Sequence, residues 1–291
     1  MMHITRWLLS ILSLVPLFGC SGADLVNWVT PRGGYSLERD LAYGDGPRRT
    51  LDLYRPDNVR SGSPLVVFFY GGNWDSGRKA DYLFVGQALA SRGYLTAIPD
   101  YRLYPEVTFP GFVEDAASAV AWLDKNRQRL GADGRPIVLV GHSAGAQIAM
   151  LLTLDKHYLQ QVGSPVCRTI AAGVGLSGPY DFLPLKEERY KRIFPEATRP
   201  RSQPIAFVDR KEPPVLLLVG DADKTVDPGN TSRLAARITE RGGHVEQKTY
   251  AGIGHVGMVS AFARPLRGRA SVLNDVDAFL SRLDAARPPF C

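Results

Sequence analysis

Short apolar runs alternate with longer segments of helical period along most of this chain. The runs at 65–70, 95–98 and 137–140 are almost continuously apolar, which is typical of strands buried on both faces. The segment 112–129 instead places apolar residues three or four positions apart, which predicts a helix with one buried face. Further strands are predicted at 169–176, 215–219 and 245–250, and further helices at 81–91, 146–154, 231–241 and 272–283. Such alternation builds a mostly parallel central sheet with helices on both faces, so the sequence predicts an α/β fold.

The region before the first buried run has a different pattern. Two β-rich stretches, 37–43 and 50–54, flank the turn signal Gly-Asp-Gly-Pro at 44–47, and together they predict an N-terminal antiparallel hairpin. The chain has 291 residues, of which 45% are apolar and 22% charged, so it can bury a large core. We therefore expect a single α/β domain over residues 36–291.

Charge and motif content exclude several classes of partner. The formal charge of +6 comes from Lys and Arg spread along the chain, without a dense basic block interleaved with aromatic residues. The sequence also lacks a His-Glu-x-x-His motif, paired Cys-x-x-Cys motifs and a phosphate loop. We therefore expect no nucleic-acid partner, no metal and no cofactor.

The first twenty residues differ from the rest of the chain. His3 and Arg6 precede an apolar stretch at 7–18 that is too short to span a bilayer but suits the centre of a secretory signal. This stretch leads into Leu-Phe-Gly-Cys at 17–20, which resembles the lipobox of bacterial lipoproteins, where the signal is cut before a cysteine that is then lipidated. The resemblance implies a signal peptide at 1–19, a tether at 20–35 and a membrane anchor at a lipidated Cys20.

The same resemblance bears on location. Ser21, rather than Asp, follows the cysteine, which implies an outer-membrane lipoprotein of a bacterial envelope that faces the periplasm. An ordinary signal with a chance cysteine, which would release the protein to the periplasm, and an uncleaved anchor are the alternatives. In that oxidising compartment Cys167 and Cys291 could form a disulfide, although nothing in the sequence fixes their separation.

One long connection stands out between two predicted strands. Residues 179–208 mix prolines with clustered charges, and connections of this length are usually lids, binding loops or disordered segments. We expect a lid over the active site, with an inert surface excursion as the alternative.

The strongest chemical signal is the pentapeptide Gly-His-Ser-Ala-Gly at 141–145. It directly follows the apolar run at 137–140 and leads into a predicted helix. A sharp strand-to-helix turn needs small residues on either side of its central residue, and it lifts that residue clear of the sheet. The pattern therefore predicts Ser143 as a catalytic nucleophile, and a glycine turn without chemistry is the alternative.

A serine nucleophile needs a base and an acid that orients the base. Of the five histidines, only His255 lies in a loop just beyond a predicted strand end, where ligands bind in open α/β sheets. Asp221, Asp223 and Asp227 all follow the strand at 215–219. Each could instead form a turn or cap a helix, and Asp223 is favoured on position alone.

Acyl transfer also requires hydrogen-bond donors for the oxyanion of the tetrahedral intermediate. The sequence Tyr-Gly-Gly-Asn-Trp at 70–74 follows the strand at 65–70, where glycines free backbone N–H groups to point into a cavity. The N–H of Ala144, just after the nucleophile, is the second expected contribution. Trp74 is expected to line an acyl or aromatic pocket, or alternatively to pack under the loop.

With these motifs in place, the chain resembles α/β-hydrolase carboxylesterases over residues 36 to 284. The resemblance is to the hormone-sensitive-lipase-like and feruloyl-esterase-like (BD-FAE) bacterial group, and it extends to Pro-Asp-Tyr-Arg-Leu at 99–103. The family implies the α/β-hydrolase fold, Asp223 as the acid and His255 as the base. It also implies an oxyanion hole formed by the N–H groups of Gly72, Asn73 and Ala144. Tyr70 is a departure, because the family usually has histidine there.

These observations predict a serine carboxylic ester hydrolase that forms an acyl-serine intermediate on a small-molecule ester. An aryl formamidase or amidase on the same fold is the nearest alternative, since such enzymes share the Gly-Gly-x-Trp loop and the triad. A catalytically inactive binding protein is a further alternative. The sequence does not predict the oligomeric state.

Overall fold

A single eight-stranded sheet forms the centre of the computed structural model, which describes residues 22–283. The strands are β1 (Tyr35–Ala42), β2 (Thr50–Pro56), β3 (Leu65–Phe69), β4 (Thr96–Pro99), β5 (Ile137–His142), β6 (Ile170–Leu176), β7 (Val215–Gly220) and β8 (Val245–Tyr250). Their order across the sheet is β1-β2-β4-β3-β5-β6-β7-β8. The chain thus crosses over between β3 and β4, and β3 lies next to β5 at the centre.

Strand directions confirm the predicted fold class. β1 pairs with β2 and β2 with β4 in antiparallel fashion, whereas every pairing from β4 through β3 to β8 is parallel. Strands β3 to β7 are buried at every position, which explains their continuous apolar runs. Because parallel strands end at the same edge, the loops after β3, β5, β7 and β8 meet there.

Ten α-helices accompany the sheet within residues 22–283. They are α1 (Gly22–Trp28), α2 (Leu83–Ala90), α3 (Gly111–Lys125), α4 (Ala144–Leu154), α5 (Lys156–Gln161), α6 (Val166–Thr169), α7 (Glu188–Ile193), α8 (Gly229–Glu240), α9 (His255–Ser260) and α10 (Val272–Ser281). Short 3₁₀ helices lie at Lys79–Tyr82, Arg199–Ser202, Pro204–Phe207 and Arg264–Arg269. None of the helices in this part of the chain is both long and apolar enough to cross a bilayer.

Residues 20–35 were expected to form a tether, but residues 22–28 of this segment form helix α1 on the surface of the domain. The Asn27 side chain donates to the carbonyl oxygens of Ala80 and Asp81 (3.0 and 3.1 Å) and accepts from the N–H of Phe84 (3.2 Å). These contacts join positions more than fifty residues apart, so local sequence pattern could not reveal them.

Both ends of the chain carry predictions that the described residues leave open. The signal at 1–19, Cys20 and Cys291 lie outside residues 22–283. Cys167 is disulfide-bonded, and its pairing with Cys291 stays a prediction.

The turn between β5 and α4 packs against β3 without room for a side chain. A Cβ atom on Gly145 would lie 2.1 Å from the carbonyl oxygen of Phe69 and 2.4 Å from that of Tyr70. Both obstacles are backbone atoms of the central sheet, so they cannot rotate away.

We therefore expect Gly145→Ala to lower the free energy of unfolding by about 1–3 kcal/mol, because β3 and α4 must separate to admit the methyl group. Urea denaturation measures the change. Gly268→Ala is the matched control, since no atom lies within 4 Å of a Cβ there, and its effect should stay within about 0.5 kcal/mol. Equal unfolding midpoints for the two variants would contradict the packing argument.

Candidate active site

Ser143 occupies the tight turn between β5 and α4. Its backbone has φ 56° and ψ −123°, a conformation that costs a residue with a side chain about 1–3 kcal/mol. The turn is held by bonds from the Ser143 N–H to the Leu176 carbonyl (2.9 Å) and from the Ala146 N–H to the Ser143 carbonyl (2.9 Å). Ser143 thus stands at the carboxyl edge of the sheet, at the first turn of α4.

His255 reaches Ser143 from a different strand. It is the first residue of α9, five positions beyond the end of β8. Its Nε2 lies 2.8 Å from the Ser143 Oγ, and its Nδ1 lies 2.8 Å from the Asp223 Oδ2. The structure therefore joins all three predicted side chains in one continuous hydrogen-bonded chain.

The side chain of Asp223 is completely buried and uses both carboxylate oxygens. Its Oδ1 accepts from the N–H groups of Thr225 and Val226 (2.9 and 3.0 Å), and its Oδ2 faces His255. Burial raises the pKa of this carboxyl, but the bonds from Val226 and His255 outweigh burial and leave the pKa below its ordinary value. Asp223 is therefore held ionised against the imidazole.

The two other aspartates of this loop have local partners. Asp221 accepts from the N–H of Gly252 (2.7 Å), and Asp227 accepts from the N–H of Gly229 at the start of α8 (2.9 Å). Neither contacts His255 in these bonds. The structure thus separates three candidates that the sequence left open.

A second histidine, His142, lies against His255, and sequence reasoning had passed over it. Its Nε2 lies 3.1 Å from the backbone carbonyl oxygen of His255, and the two rings are 4.8 Å apart. His142 is 4% exposed, and its Nδ1 is buried without a hydrogen-bond partner among the described residues. Burial, reinforced by the neighbouring His255, lowers the pKa of His142 from 6.5 to about 3. A neutral His142 therefore donates from Nε2 and fixes the backbone of the His255 loop.

The glycine loop after β3 packs directly on the serine. A Cβ atom on Gly71 would lie 2.8 Å from the Ser143 Cβ, so only glycine fits at this contact. Asn73 and Trp74 both have positive φ values (52° and 62°), which turn the loop back over the sheet. Within the described residues, no acceptor is bonded to the N–H of Asn73 or of Ala144.

Tyr70, the departure from the family pattern, anchors this loop. Its hydroxyl donates to the Asp100 Oδ1 (2.6 Å) and accepts from Arg48 (2.9 Å). Arg48 also donates to the carbonyl of Gly77 (2.8 Å), and the Asp100 Oδ1 accepts from the N–H of Lys79 (2.7 Å). One buried network therefore holds both ends of the loop.

A cavity of about 440 Å³ opens above the serine. Ser143, Ala144, Asn73 and Trp74 line its floor, whereas Gly72 does not line it. Trp74 is 5% exposed and donates from Nε1 to the Gln147 Oε1 (3.1 Å), so it both lines the cavity and packs under the loop. The opposite wall comes from the long connection after β6. Its lining residues are Pro179, Asp181–Glu187 and Tyr190.

Within residues 22–283, no three His, Cys, Asp or Glu side chains are grouped so that they could hold a metal ion. A sheet of this order with Ser, His and Asp meeting at its carboxyl edge defines an α/β-hydrolase. The chain belongs to the BD-FAE family, whose model matches residues 51–238. The family resemblance inferred from the sequence is thereby confirmed.

Similar proteins agree with this assignment. The isoprenylcysteine alpha-carbonyl methylesterase ICME of Arabidopsis thaliana is 30% identical over 261 residues, which cover 82% of this chain and 60% of that protein. Esterase LipC of Mycobacterium tuberculosis is 29% identical over 65% of this chain and 52% of its own. The chain thus spans about half to two thirds of the length of these curated relatives.

Solved structures share the fold. An inhibited form of esterase B from Lactobacillus rhamnosis superposes with a TM-score of 0.76 at 20% identity, covering 89% of this chain and 92% of that one. At this level of identity the likeness establishes the α/β-hydrolase fold.

The depressed pKa of His142 predicts a specific acid sensitivity. The unfolded chain takes up a proton on this histidine as the pH falls below about 6.5, whereas the folded protein does not until about pH 3. Stability should therefore fall by about 1.4 kcal/mol per pH unit across that window from this group alone. His142→Gln keeps a donor for the His255 carbonyl but cannot titrate. The variant should therefore lose less unfolding free energy per pH unit in acid than wild type, by up to about 1.4 kcal/mol per unit.

Urea unfolding at a series of pH values from 7 to 4 measures the difference. His157→Gln removes an exposed histidine and should leave the slope unchanged. If the unfolding free energy of wild type and of His142→Gln falls equally steeply with decreasing pH, His142 protonates as readily in the folded state as in the unfolded chain.

Proposed function

We propose that this protein is a serine carboxylic ester hydrolase that acts through an acyl-serine intermediate. The observation that carries the proposal is the hydrogen-bonded chain from the Ser143 Oγ through His255 to the buried Asp223, with both distances at 2.8 Å. The family and the esterase names of its relatives support an ester as the substrate.

In this mechanism, the Ser143 Oγ attacks the ester carbonyl while the His255 Nε2 takes its proton. Asp223 accepts the Nδ1–H, which fixes the tautomer and stabilises the imidazolium that forms. The imidazolium then protonates the departing alcohol and leaves an acyl-serine. Water, deprotonated by the same Nε2, hydrolyses that ester and releases the carboxylate.

The oxyanion of each tetrahedral intermediate would be bound by backbone N–H groups. Asn73 and Ala144 are the best-supported donors, because they line the cavity beside Ser143 and no described residue accepts from either. Gly72 is the third expected donor, although it does not line the cavity. Each such donor contributes about 3 kcal/mol to lowering the barrier.

The cavity favours a small ester with an apolar portion. Trp74, Phe182 and Tyr190 line the cavity, and the ring centroids of Phe182 and Tyr190 lie 6.0 and 6.1 Å from that of Trp74, so one side of the cavity is aromatic. The buried Phe194 packs edge-on against Trp74 (ring centroids 4.7 Å apart) without lining the cavity. Its volume of about 440 Å³ lies within the range of small-molecule sites. The plant relatives are named for a methyl ester, which agrees with a small alcohol portion.

We further propose that residues 179–208 form a lid. Arg189 on α7 forms an ion pair with Asp75 in the glycine loop, through both its Nε (2.6 Å) and its Nη2. The Tyr190 hydroxyl lies 3.3 Å from the Asn73 Oδ1. The segment is thus fastened to the loop that would bind the oxyanion.

A lipid anchor at Cys20 and a place in the bacterial envelope, facing the periplasm, complete the proposal. The support is the apolar stretch at 7–18 and the cysteine that follows it in the sequence. These residues lie outside the described part of the chain.

Ser143→Ala should lower kcat for an aryl ester by about 10⁴- to 10⁶-fold, because the nucleophile is removed while substrate binding and the N–H donors remain. The same variant should lose covalent labelling by a fluorophosphonate probe. Full turnover in Ser143→Ala would exclude the mechanism, and a folded wild type that neither labels nor turns over would favour a binding protein.

Assaying the matching aryl formamide in parallel separates the esterase from the amidase, since a large preference for the formamide would favour the amidase.

The lid proposal predicts an effect of Arg189→Ala on substrate binding. An exposed ion pair contributes about 0.2–1 kcal/mol, so KM for an aryl ester should change by roughly 1.4- to 5-fold. Lys191→Ala is the matched control, because Lys191 pairs with Glu188 inside the same helix (2.7 Å). Steady-state kinetics measure both variants, and an unchanged KM in Arg189→Ala would mean that the segment does not act through this contact.

A further inference from the structure

Helix α1 exposes an unusual amount of apolar surface. The exposed fractions of Leu25, Trp28 and Val29 are 63%, 81% and 44%, so three of the six large apolar residues exposed on the described surface lie within five positions. Leu25 and Trp28 lie on one face of the helix, and Val29 directly follows it, with its N–H bonded to the Leu25 carbonyl oxygen (3.4 Å). The opposite side is the docked one, since Val26 packs on the core and Asn27 bonds to the segment that starts α2.

The support beneath α1 shows why this face is outermost. Every residue of α2 is buried, although α2 lies outside the sheet, so other elements must cover it. Helix α1 covers its first turn through the bond between Asn27 and the Phe84 N–H (3.2 Å). One turn further along α2, the Gln87 Oε1 accepts from Arg267 of the Arg264–Arg269 3₁₀ helix (3.4 Å).

That 3₁₀ helix supplies positive charge beside α2, the helix that α1 covers at its first turn. It carries Arg264, Arg267 and Arg269, and within residues 22–283 none of the three forms an ion pair with a carboxylate. Arg264 and Arg269 are exposed. Burial and the nearby charges of Arg92 and Arg264 lower the pKa of Arg267. Its guanidinium donates to two uncharged acceptors, the Phe262 carbonyl oxygen (2.9 Å) and the Gln87 Oε1 (3.4 Å).

An apolar face with an exposed tryptophan beside uncompensated arginines fits the surface of an anionic bilayer. Tryptophan favours the membrane interface, where its ring is apolar and its N–H stays solvated. Arginine near the surface gains about 1 kcal/mol from anionic headgroups. The chain itself points to the same occupant, because the apolar stretch at 7–18 and Cys20 end just before α1 begins.

We propose that Leu25, Trp28 and Val29 insert into the interface of an anionic phospholipid bilayer, with Arg264, Arg267 and Arg269 against its headgroups. This surface is separate from the proposed anchor at Cys20, and it would fix the orientation of the domain on the membrane. An anchor at one residue near the end of the chain does not by itself set which side of the domain faces the lipid, whereas a second contact holds one side against it. The contact is independent of ester hydrolysis.

The test uses the full chain, purified from membranes and bound to vesicles of phosphatidylcholine with phosphatidylglycerol. The fluorescence of Trp28 is isolated as the difference between wild type and Trp28→Phe. Its emission should lie at short wavelength and be quenched about twofold or more by brominated phosphatidylcholine. The control is Trp122 on α3, whose ring centroid lies 5.1 Å from the Arg129 Cζ. Its fluorescence, isolated as the difference between wild type and Trp122→Phe, should show no quenching.

The arginines are tested on the same vesicles. Arg264→Gln with Arg269→Gln should reduce the gain in Trp28 quenching that phosphatidylglycerol brings by at least about twofold. The control removes two exposed arginines elsewhere, Arg210→Gln with Arg241→Gln, and should not reduce that gain. Ester turnover in detergent should match wild type in all these variants.

Two results would overturn the proposal. One is a vesicle-bound protein whose Trp28 is not quenched by the brominated lipid. In that case Trp28 either emits at long wavelength, in water, or emits at short wavelength because a second copy covers α1 and the protein sediments as a dimer. The other is failure of the full chain to bind phosphatidylcholine vesicles, whether or not they contain phosphatidylglycerol. Neither result depends on the esterase assay, so each is distinguishable from failure of the proposed activity.

Discussion

The close contact between the β5–α4 turn and β3 is the constraint on which the site depends. Gly145 meets the backbone oxygens of β3, and Gly71 meets the Ser143 Cβ, so the nucleophile and the glycine loop are held together by backbone packing. This contact tolerates the positive φ of Ser143 because β5 and α4 are buried at every position and cannot relax without opening the core. The strain of one residue is thus stabilised by the burial of two elements.

The second constraint is electrostatic and concerns two adjacent histidines. In the proposed mechanism His255 gains a proton, and a charged His142 ring 4.8 Å away would oppose that gain. Burial removes the conflict by keeping His142 neutral, while its Nε2–H bonds to the His255 carbonyl. Asp223 acts from the other side as an ionised partner. The ionised Asp223 would therefore stabilise a protonated His255, whereas burial keeps the neighbouring His142 neutral.

Sequence reasoning predicted the sheet well because its signal is local. The bounds of β8 at 245–250 agree residue for residue, and the alternation of strands and helices holds along the whole sheet. Helix α1 was not predicted, since seven residues are too few for a clear period and Asn27 docks on partners more than fifty positions away.

Within the site, the sequence predicts those residues that belong to a recognisable local motif. The serine turn has one, because its glycines are needed for backbone packing. The choice among Asp221, Asp223 and Asp227 has none, since all three accept backbone N–H groups and differ only in which one faces His255. His142 could not be assigned either, because its partner lies 113 positions along the chain.

Tyr70 shows how one departure from the family pattern is accommodated. A phenol carries its hydroxyl farther from the backbone than an imidazole carries its nitrogens, and here it reaches the buried Asp100 at the end of β4. Burial raises the pKa of Asp100, and the Tyr70 hydroxyl, the Lys79 N–H and the charge of Arg48 oppose that rise. Because a buried carboxylate is costly, its ionised form depends on these three partners. Arg48 adds a positive charge that also bonds to the Gly77 carbonyl. The glycine loop is therefore fixed at both ends by one charge-assisted network. Within the described residues, the N–H of Asn73 in that loop is bonded to no acceptor.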